Sequence, residues 1–532
     1  MPIAKRRTFL KLALLSAPVI GTGAWTWPAR WLSSEARKKE VVIVGAGLAG
    51  LVAGYELTKS GHDVTILEAQ LRSGGRVQTI REPFSDGLYA EAGAARIPDN
   101  HELTLRYAKH FGLTLVPFYP KQKDRVFLLG GKRIRVQAGA DLDLSQVPFV
   151  LTPEERTLGM SGLAKKYMGN AVQQIGDPTL PGWLNGPAKA YDNFNMAEYL
   201  KKQGASEGAI RLLELPVATP EDDPASLLWD LRESRYESHE TTRYKIEGGN
   251  DSLPKAFAAK LSQNIRYGCP VVRIEQDSTK VRATVSQAGT HHTFEADRLI
   301  CTVPFPVLRK VEVSPKFSEA KRKAIDELAY DTITRVVLQC RTRYWEKDGY
   351  NGFGISDLPQ EIWHPTFDQP GTRGLLVSYM YFALGRRVGA MSEEDRLTFV
   401  SREMDKVHPG LFDNLEGHFS KVWAADPWAG GAAAIPSPGQ MSTCAQGLKN
   451  RKGEFTLQAS THPTGLGGCK GRWNPGCEPP RKLPMQFPKA PDCEEQGSAN
   501  LEPRDAGSSD PDREERPQSQ PAIPSSRHCC LR

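Results

Sequence analysis

The pattern of apolar positions that organises the chain lies between Glu40 and Arg76. The β-branched run Val41-Val42-Ile43-Val44 predicts a strand buried on both faces. Gly45, Gly47 and Gly50 follow and open a helix that runs through Leu51, Ala53, Tyr55 and Leu57, with Gly61 closing it. Asp63 to Leu67 predict a second strand, with Glu68 at its end. Further along, the pattern predicts a helix over about 101–111 and a mostly helical stretch, broken by Pro and Gly, from about Pro117 to Arg243. Strand-like runs come next at 265–274, 281–285 and 298–302, then a long strand over 332–344 and another over 374–379. Beyond about Gln440 the periodicity stops. Residues 441–532 hold no Val, no Tyr and a single Ile, Ile523, which predicts disorder.

The first stretch has the components of a dinucleotide site in the required order. In a G-x-G-x-x-G turn between strand and helix, the first glycine permits the tight turn and the second lets backbone approach a pyrophosphate. The third lets the helix pack on the strand. The helix N-terminus meets the phosphate charge, and Glu68 can accept hydrogen bonds from a ribose. A second glycine turn flanked by arginines follows, Arg72-Ser73-Gly74-Gly75-Arg76.

That second turn resembles the R-x-G-G-R signature of the flavin amine oxidases, and the resemblance runs with gaps from about Glu40 to about Gln440. It implies FAD as the cofactor and an α/β fold, a Rossmann-like FAD-binding domain interleaved with a substrate domain of mixed sheet plus helices. The expected division begins with an export segment over 1–37 and a first FAD-binding segment over 38–105. A helical substrate region over 106–243 and a second FAD-binding segment over 244–305 follow. Then come the substrate domain over 306–422, a return to the FAD domain over 423–440 and a tail over 441–532. The cofactor positions implied are Gly45, Ala46, Gly47, Gly50, Glu68, Ala69, Arg72, Gly75, Arg76, Ala95, Arg96, Val272 and Trp423. For Val272, whose role would be through its backbone, an ordinary core strand accounts for the residue equally well.

The resemblance also implies an activity. In the amino-acid oxidase branch, the arginine of G-x-x-R-x-P holds the substrate carboxylate, and Arg96 in Gly93-Ala94-Ala95-Arg96-Ile97-Pro98 matches it. Guanidinium suits that task because it is always charged and grips a carboxylate with two parallel hydrogen bonds. An ion pair of Arg96 with Glu91 or Asp99 is the alternative. Tyr379 matches a second carboxylate partner, with a core tyrosine as the alternative. Arg343 stands where the family is expected to place a lysine that holds a water near the flavin. His364 has no evident partner and reads as a packing residue. The implied reaction oxidises L-α-amino acids with dioxygen to keto acid, ammonia and hydrogen peroxide. A monoamine or polyamine oxidase, or an inactive product unable to retain FAD, is the alternative.

Composition changes the picture in three places. The net charge is +7, but it collects at the ends. Residues 1–40 carry 8 Lys/Arg against 2 Asp/Glu, and the 400 residues from 41 to 440 carry 48 against 49. The folded body therefore has no basic footprint for a nucleic acid. Lys5-Arg6-Arg7-Thr8-Phe9-Leu10-Lys11 before an apolar stretch resembles a bacterial twin-arginine signal, implying a translocase partner and a periplasmic or exported protein. Cys269, Cys301 and Cys340 sit in strand-like runs and read as buried thiols, while the other 6 of 9 cysteines crowd into the last 92 residues. Association with further copies of the chain is left open.

The tail departs from the family, which should supply a last strand ending in F-A-G-E-H-T and a following helix. Reading the codons from Asn450 in the neighbouring frame can spell such an element. Trp473-Asn474 then gives only Glu; with stops excluded, Cys469-Lys470 gives only Gln and Cys477-Glu478 only Arg, each where the family needs it. A one-base change of frame between about Gln440 and Asn450 is the expectation, and an unpaired sheet edge its consequence.

Overall fold

The structure is a computed structural model that describes residues 38–178, 180, 182–215, 225–236, 242–358, 360–448 and 455–457. All of them belong to one compact unit, Met1–Glu478. The export segment 1–37 and the tail beyond 457 lie outside the described residues.

A parallel five-stranded sheet forms in the order Ile265–Arg266, Asp63–Leu67, Glu40–Val44, Arg298–Cys301, Phe455–Leu457. Its middle strand is buried on both faces, as the β-branched run requires. Val41 and Ile43 pack with Leu51, Ile66 and Phe257, while Val42 and Val44 pack with Leu299, Cys301 and Phe305. The helix Leu48–Lys59 lies between the first two strands in sequence.

The substrate sheet has seven strands, in the order Leu415–Val422, Thr334–Cys340, Gly374–Met380, Glu361–Trp363, Tyr350–Ser356, Asp124–Leu129, Lys132–Val136. Alternation divides its central strands cleanly. Val337, Val377 and Tyr379 face the core shared with the helical insertion, whereas Val336, Leu338, Leu376 and Met380 face the helix Glu393–Val407 through Val400 and Met404.

Four expectations need correction. The stretch from Pro117 is not helical throughout, because Asp124–Leu129 and Lys132–Val136 form a hairpin that joins the substrate sheet. Its signal was Gly130-Gly131 between the apolar run Val126-Phe127-Leu128-Leu129 and the alternating Lys132-Arg133-Ile134-Arg135-Val136; both glycines adopt positive φ, +54° and +77°. The second FAD-side segment does not end at 305. Glu312–Ser314 pairs with Val271–Gln276, and Phe317, Ile325 and Leu328 share the core of that sheet. The long strand stops at Cys340, not Tyr344. Finally, order extends past 440: Gln440–Leu448 is helical, and Phe455–Leu457 pairs in parallel with Arg298–Cys301, so that edge is covered. These three residues sit where the neighbouring frame would spell its own strand.

The buried thiols are borne out. Cys269, Cys301 and Cys340 are free and buried, as is Cys444. Burial pushes the Cys301 and Cys340 thiols up to about 12, so they are inert at neutral pH.

Candidate active site

The nucleotide half is built by two glycine turns stacked on each other. Gly45 has φ +101°, and a Cβ there would meet Thr302 Oγ1 at 2.8 Å. At Gly47, by contrast, a Cβ would meet nothing within 4 Å, so open space lies in front of the helix N-terminus. No side chain caps that helix, and its first turn holds no acid. Gly74 N–H donates to Ala46 O at 2.9 Å, and Gly75, at φ +57°, brings its Cβ direction to 3.3 Å from Gly47 Cα. Arg72 Nη2 donates to Gly75 O at 2.9 Å, and Arg76 Nη1 donates to Ala432 O at 2.6 Å.

Glu68 ends the second strand and accepts from Ala46 N–H at 2.7 Å and Gln70 N–H at 2.8 Å, with half-buried Ala69 between. Burial raises its pKa from the ordinary carboxylate value. Cys269 N–H donates to Glu68 O at 2.8 Å, which brings the chain leading to half-buried Val272 past this strand end. Open space before uncapped N–H groups, with a fixed carboxylate at the next strand end, fits the diphosphate and ribose of FAD.

Residues 91–96 connect this half to the substrate sheet. Trp423 Nε1 donates to Ala92 O at 2.8 Å, and Asn250 Nδ2 donates to Ala94 O and Ala95 O, both at 2.9 Å. Ala94 N–H donates to Arg76 O at 3.1 Å. A buried arginine that sequence reasoning missed completes the join: Arg335 Nη1 donates to Glu91 O at 2.8 Å and to Gly93 O.

Arg335 also heads the substrate side. It lies opposite Tyr379, which lies opposite Glu361, so strand register aligns three functional side chains in one row across three strands. Trp363 fills the space between. Its ring stacks on Tyr379 at 4.6 Å and 24°, with the Arg96 guanidinium at 4.9 Å and that of Arg335 at 5.1 Å from its centroid. Burial pushes the Tyr379 phenol up to about 12. Burial also lowers the Arg335 pKa from its ordinary value, though a guanidinium stays charged at neutral pH. A cavity lined by Glu91, Ala95, Phe118, Lys245, Trp363 and Val377 adjoins the row.

Arg96 and Tyr379 therefore come together, but Arg343 does not join them. Arg335 is the second residue of its strand, whereas Arg343 lies beyond the far end. Its Nε donates to Arg373 O at 3.1 Å and its Nη2 to Gln369 O at 2.6 Å. The catalytic role expected of Arg343 is not supported. The signal for the right residue was a lone charge inside an apolar strand, Thr334-Arg335-Val336-Val337.

Arg96 is also paired, but not with either expected carboxylate. Its Nη1 donates to Tyr119 Oη at 3.0 Å and to Glu361 Oε2 at 3.3 Å. Asp99 instead accepts from Thr242 N–H, and Glu91 accepts from Thr79 Oγ1 and Asn250 N–H. His364 is fully buried, Nδ1 lies 3.1 Å from Asn351 O, and burial lowers its pKa to about 3, as a packing residue requires. Among the described residues no cluster of His, Cys, Asp or Glu could hold a metal ion.

Glu91 yields a pH prediction. Burial raises its pKa to about 7 in the folded protein. A carboxyl whose folded pKa is raised contributes stability that is fully present below its unfolded value, about 4.5, and is lost as pH rises through 7. Glu91→Gln should remove this loss, on the order of 2–3 kcal/mol. The denaturant midpoint of the variant should fall less than wild type between pH 5 and 8, and parallel curves would refute the assignment.

The sequence profile of the flavin-containing amine oxidoreductases matches residues 48–468. The chain belongs to that family. A Bacillus subtilis relative, named for L-amino-acid oxidase activity (YobN), is 32% identical over 422 residues, covering 77% of this chain and 87% of its own. The L-amino-acid oxidase of Bothrops pauloensis is 28% identical over 444 residues, covering 80% and 87%. Among solved structures, cyclohexylamine oxidase from Brevibacterium oxydans superposes with TM-score 0.68 at 19% identity, covering 82% and 96%. An engineered putrescine oxidase gives 0.68 at 20%, covering 80% and 93%. Both structures share the flavin amine oxidase fold, and FAD is the cofactor of this flavin amine oxidase.

Proposed function

We propose that this flavin amine oxidase acts on L-α-amino acids. The observation that carries the reading is the pair of guanidiniums, Arg96 and Arg335, at 4.9 and 5.1 Å from the ring of buried Trp363, which stacks on Tyr379. The two curated relatives named above, which share 32% and 28% identity, also support it.

FAD, when bound, supplies the acceptor for the hydride leaving the carbon that bears the amine. The chain's role is to hold that carbon in place. Arg96 and Arg335 attract the carboxylate, and Tyr379 and Trp363 form a rigid wall beside it. Surplus positive charge disfavours a bound ammonium, so the amine is held neutral and no protein base is needed. Water then splits the imino acid into keto acid and ammonia, and dioxygen takes the two electrons to leave as hydrogen peroxide.

The Arg96–Glu361 ion pair favours a second reading, in which Arg96 is structural and the substrate is a simple amine. Peroxide release from a panel of L-amino acids and their decarboxylated amines separates the two. Amino acids should be preferred by at least about 100-fold in kcat/KM, as loss of a charge-paired carboxylate predicts. Preference for the amines would overturn the reading.

We also propose export by the twin-arginine pathway, supported by Lys5 to Lys11 and the apolar stretch after it. Among the described residues no helix is long and apolar enough to cross a membrane. Changing Arg6 and Arg7 to Lys should trap the protein in the cytoplasmic fraction; unchanged fractionation would sink the proposal. The frame change near Gln440–Asn450 stays a proposal supported by the three forced codons, and sequencing that stretch of the gene decides it.

A further inference from the structure

The Glu361 carboxylate is held with more care than a passing ion pair requires. Its Oε2 accepts from Arg96 Nη1 at 3.3 Å and Trp363 Nε1 at 2.9 Å, and its Oε1 accepts from Tyr381 Oη at 3.2 Å. Side-chain exposure is 12% for Glu361 and 7% for Arg96. Of the three donors, Trp363 lines the cavity, and Arg96 and Tyr381 stand behind it, so the carboxylate lies one side chain away from the chamber.

Its charge decides what the chamber can take. Arg96 and Arg335 bring two positive charges against Trp363, and Glu361 offsets one of them. The carboxyl and the ammonium group that also line the cavity add no net charge below neutral pH. Glu91 accepts from Thr79 Oγ1 and Asn250 N–H, and burial, which raises its pKa to about 7, favours its neutral form; Lys245 Nζ lies 2.6 Å from Asp368 Oδ1. One unit of positive charge remains, which matches one carboxylate. In a chamber lined by Phe118 and Trp363 and backed by Tyr379 and Tyr381, a further negative charge is poorly screened from Glu361.

We propose that Glu361 is a specificity-determining residue. By pairing with Arg96 it holds the chamber to a single surplus positive charge and selects against substrates that carry a second carboxylate. The inference rests on the amino-acid oxidase reading. It works by repulsion of the wrong substrate more than by attraction of the right one.

The test compares substrates that differ by one charge and almost nothing in shape. In the full-chain holoenzyme, L-glutamine should exceed L-glutamate in kcat/KM by about 100-fold or more, and L-asparagine should exceed L-aspartate likewise. Glu361→Gln keeps an acceptor for Arg96, Trp363 and Tyr381, and should shrink both ratios at least about 10-fold. A second readout needs no turnover. Calorimetric titration with butyrate and glutarate should show butyrate bound more tightly by wild type, and the gap narrowed or reversed in Glu361→Gln. If amino acids are oxidised but neither ratio moves in the variant, the role of Glu361 is overturned and the reading stands. If simple amines alone are oxidised and neither acid binds either protein, both fall.

Discussion

Arg96→Met should raise KM for L-amino acids by about 100-fold and change KM for a simple amine such as benzylamine less than about threefold. A charge-assisted hydrogen bond to a carboxylate contributes about 1.5–3 kcal/mol, and the bidentate form reaches the upper end. A factor of ten costs about 1.4 kcal/mol, so loss of the guanidinium alone accounts for 10- to 100-fold. Glu361 adds to the effect. With Arg96 gone, its carboxylate keeps Trp363 Nε1 and Tyr381 Oη but faces the substrate carboxylate with no cation on it. The double variant Arg96→Met with Glu361→Gln should therefore recover some of the loss, at least about threefold in KM. Steady-state kinetics on one amino acid and its decarboxylated amine measures all of this. Equal losses for acid and amine would make Arg96 a structural residue.

Gly50→Ala should abolish flavin retention and weaken the fold together, whereas Gly47→Ala should abolish flavin retention alone. At Gly50 a Cβ would stand 2.0 Å from Gly45 O and 3.0 Å from Thr302 Oγ1, with backbone on one side that cannot turn away. The helix Leu48–Lys59 must then lift off its strand, and overpacking of this kind costs about 1–3 kcal/mol. At Gly47 the added methyl meets no protein atom within 4 Å, so the fold is spared. The methyl instead enters the space before the helix N-terminus where the diphosphate belongs. Flavin absorbance per protein, read beside the melting temperature of the flavin-free protein, separates the two variants. Normal flavin content in both would remove the glycine turn from the cofactor site.

Neither result depends on anything the chain hides. Strand, glycine turn, helix and terminal acid follow one another within thirty residues, so local rules place each of them. The structure agrees for Glu40–Val44, Leu48–Lys59 and Asp63–Leu67. Tyr379 and Trp423 were legible for a different reason, since each sits in a stretch that resembles the family.

What sequence by itself determined is thus the nucleotide half: a buried β-branched strand, glycines where backbone must approach, and Glu68 at the next strand end. The tertiary structure alone decided the substrate half. Arg335, Tyr379 and Glu361 are far apart along the chain and meet only because strand register sets them in one row. A one-residue slip would turn every one of them to the other face. That is why Arg343 could be given the water-holding place near the flavin and Glu361 overlooked as the partner of Arg96. Periodicity along a chain says which residues point inward; which inward residues touch is decided by pairing between strands, and no local pattern encodes it.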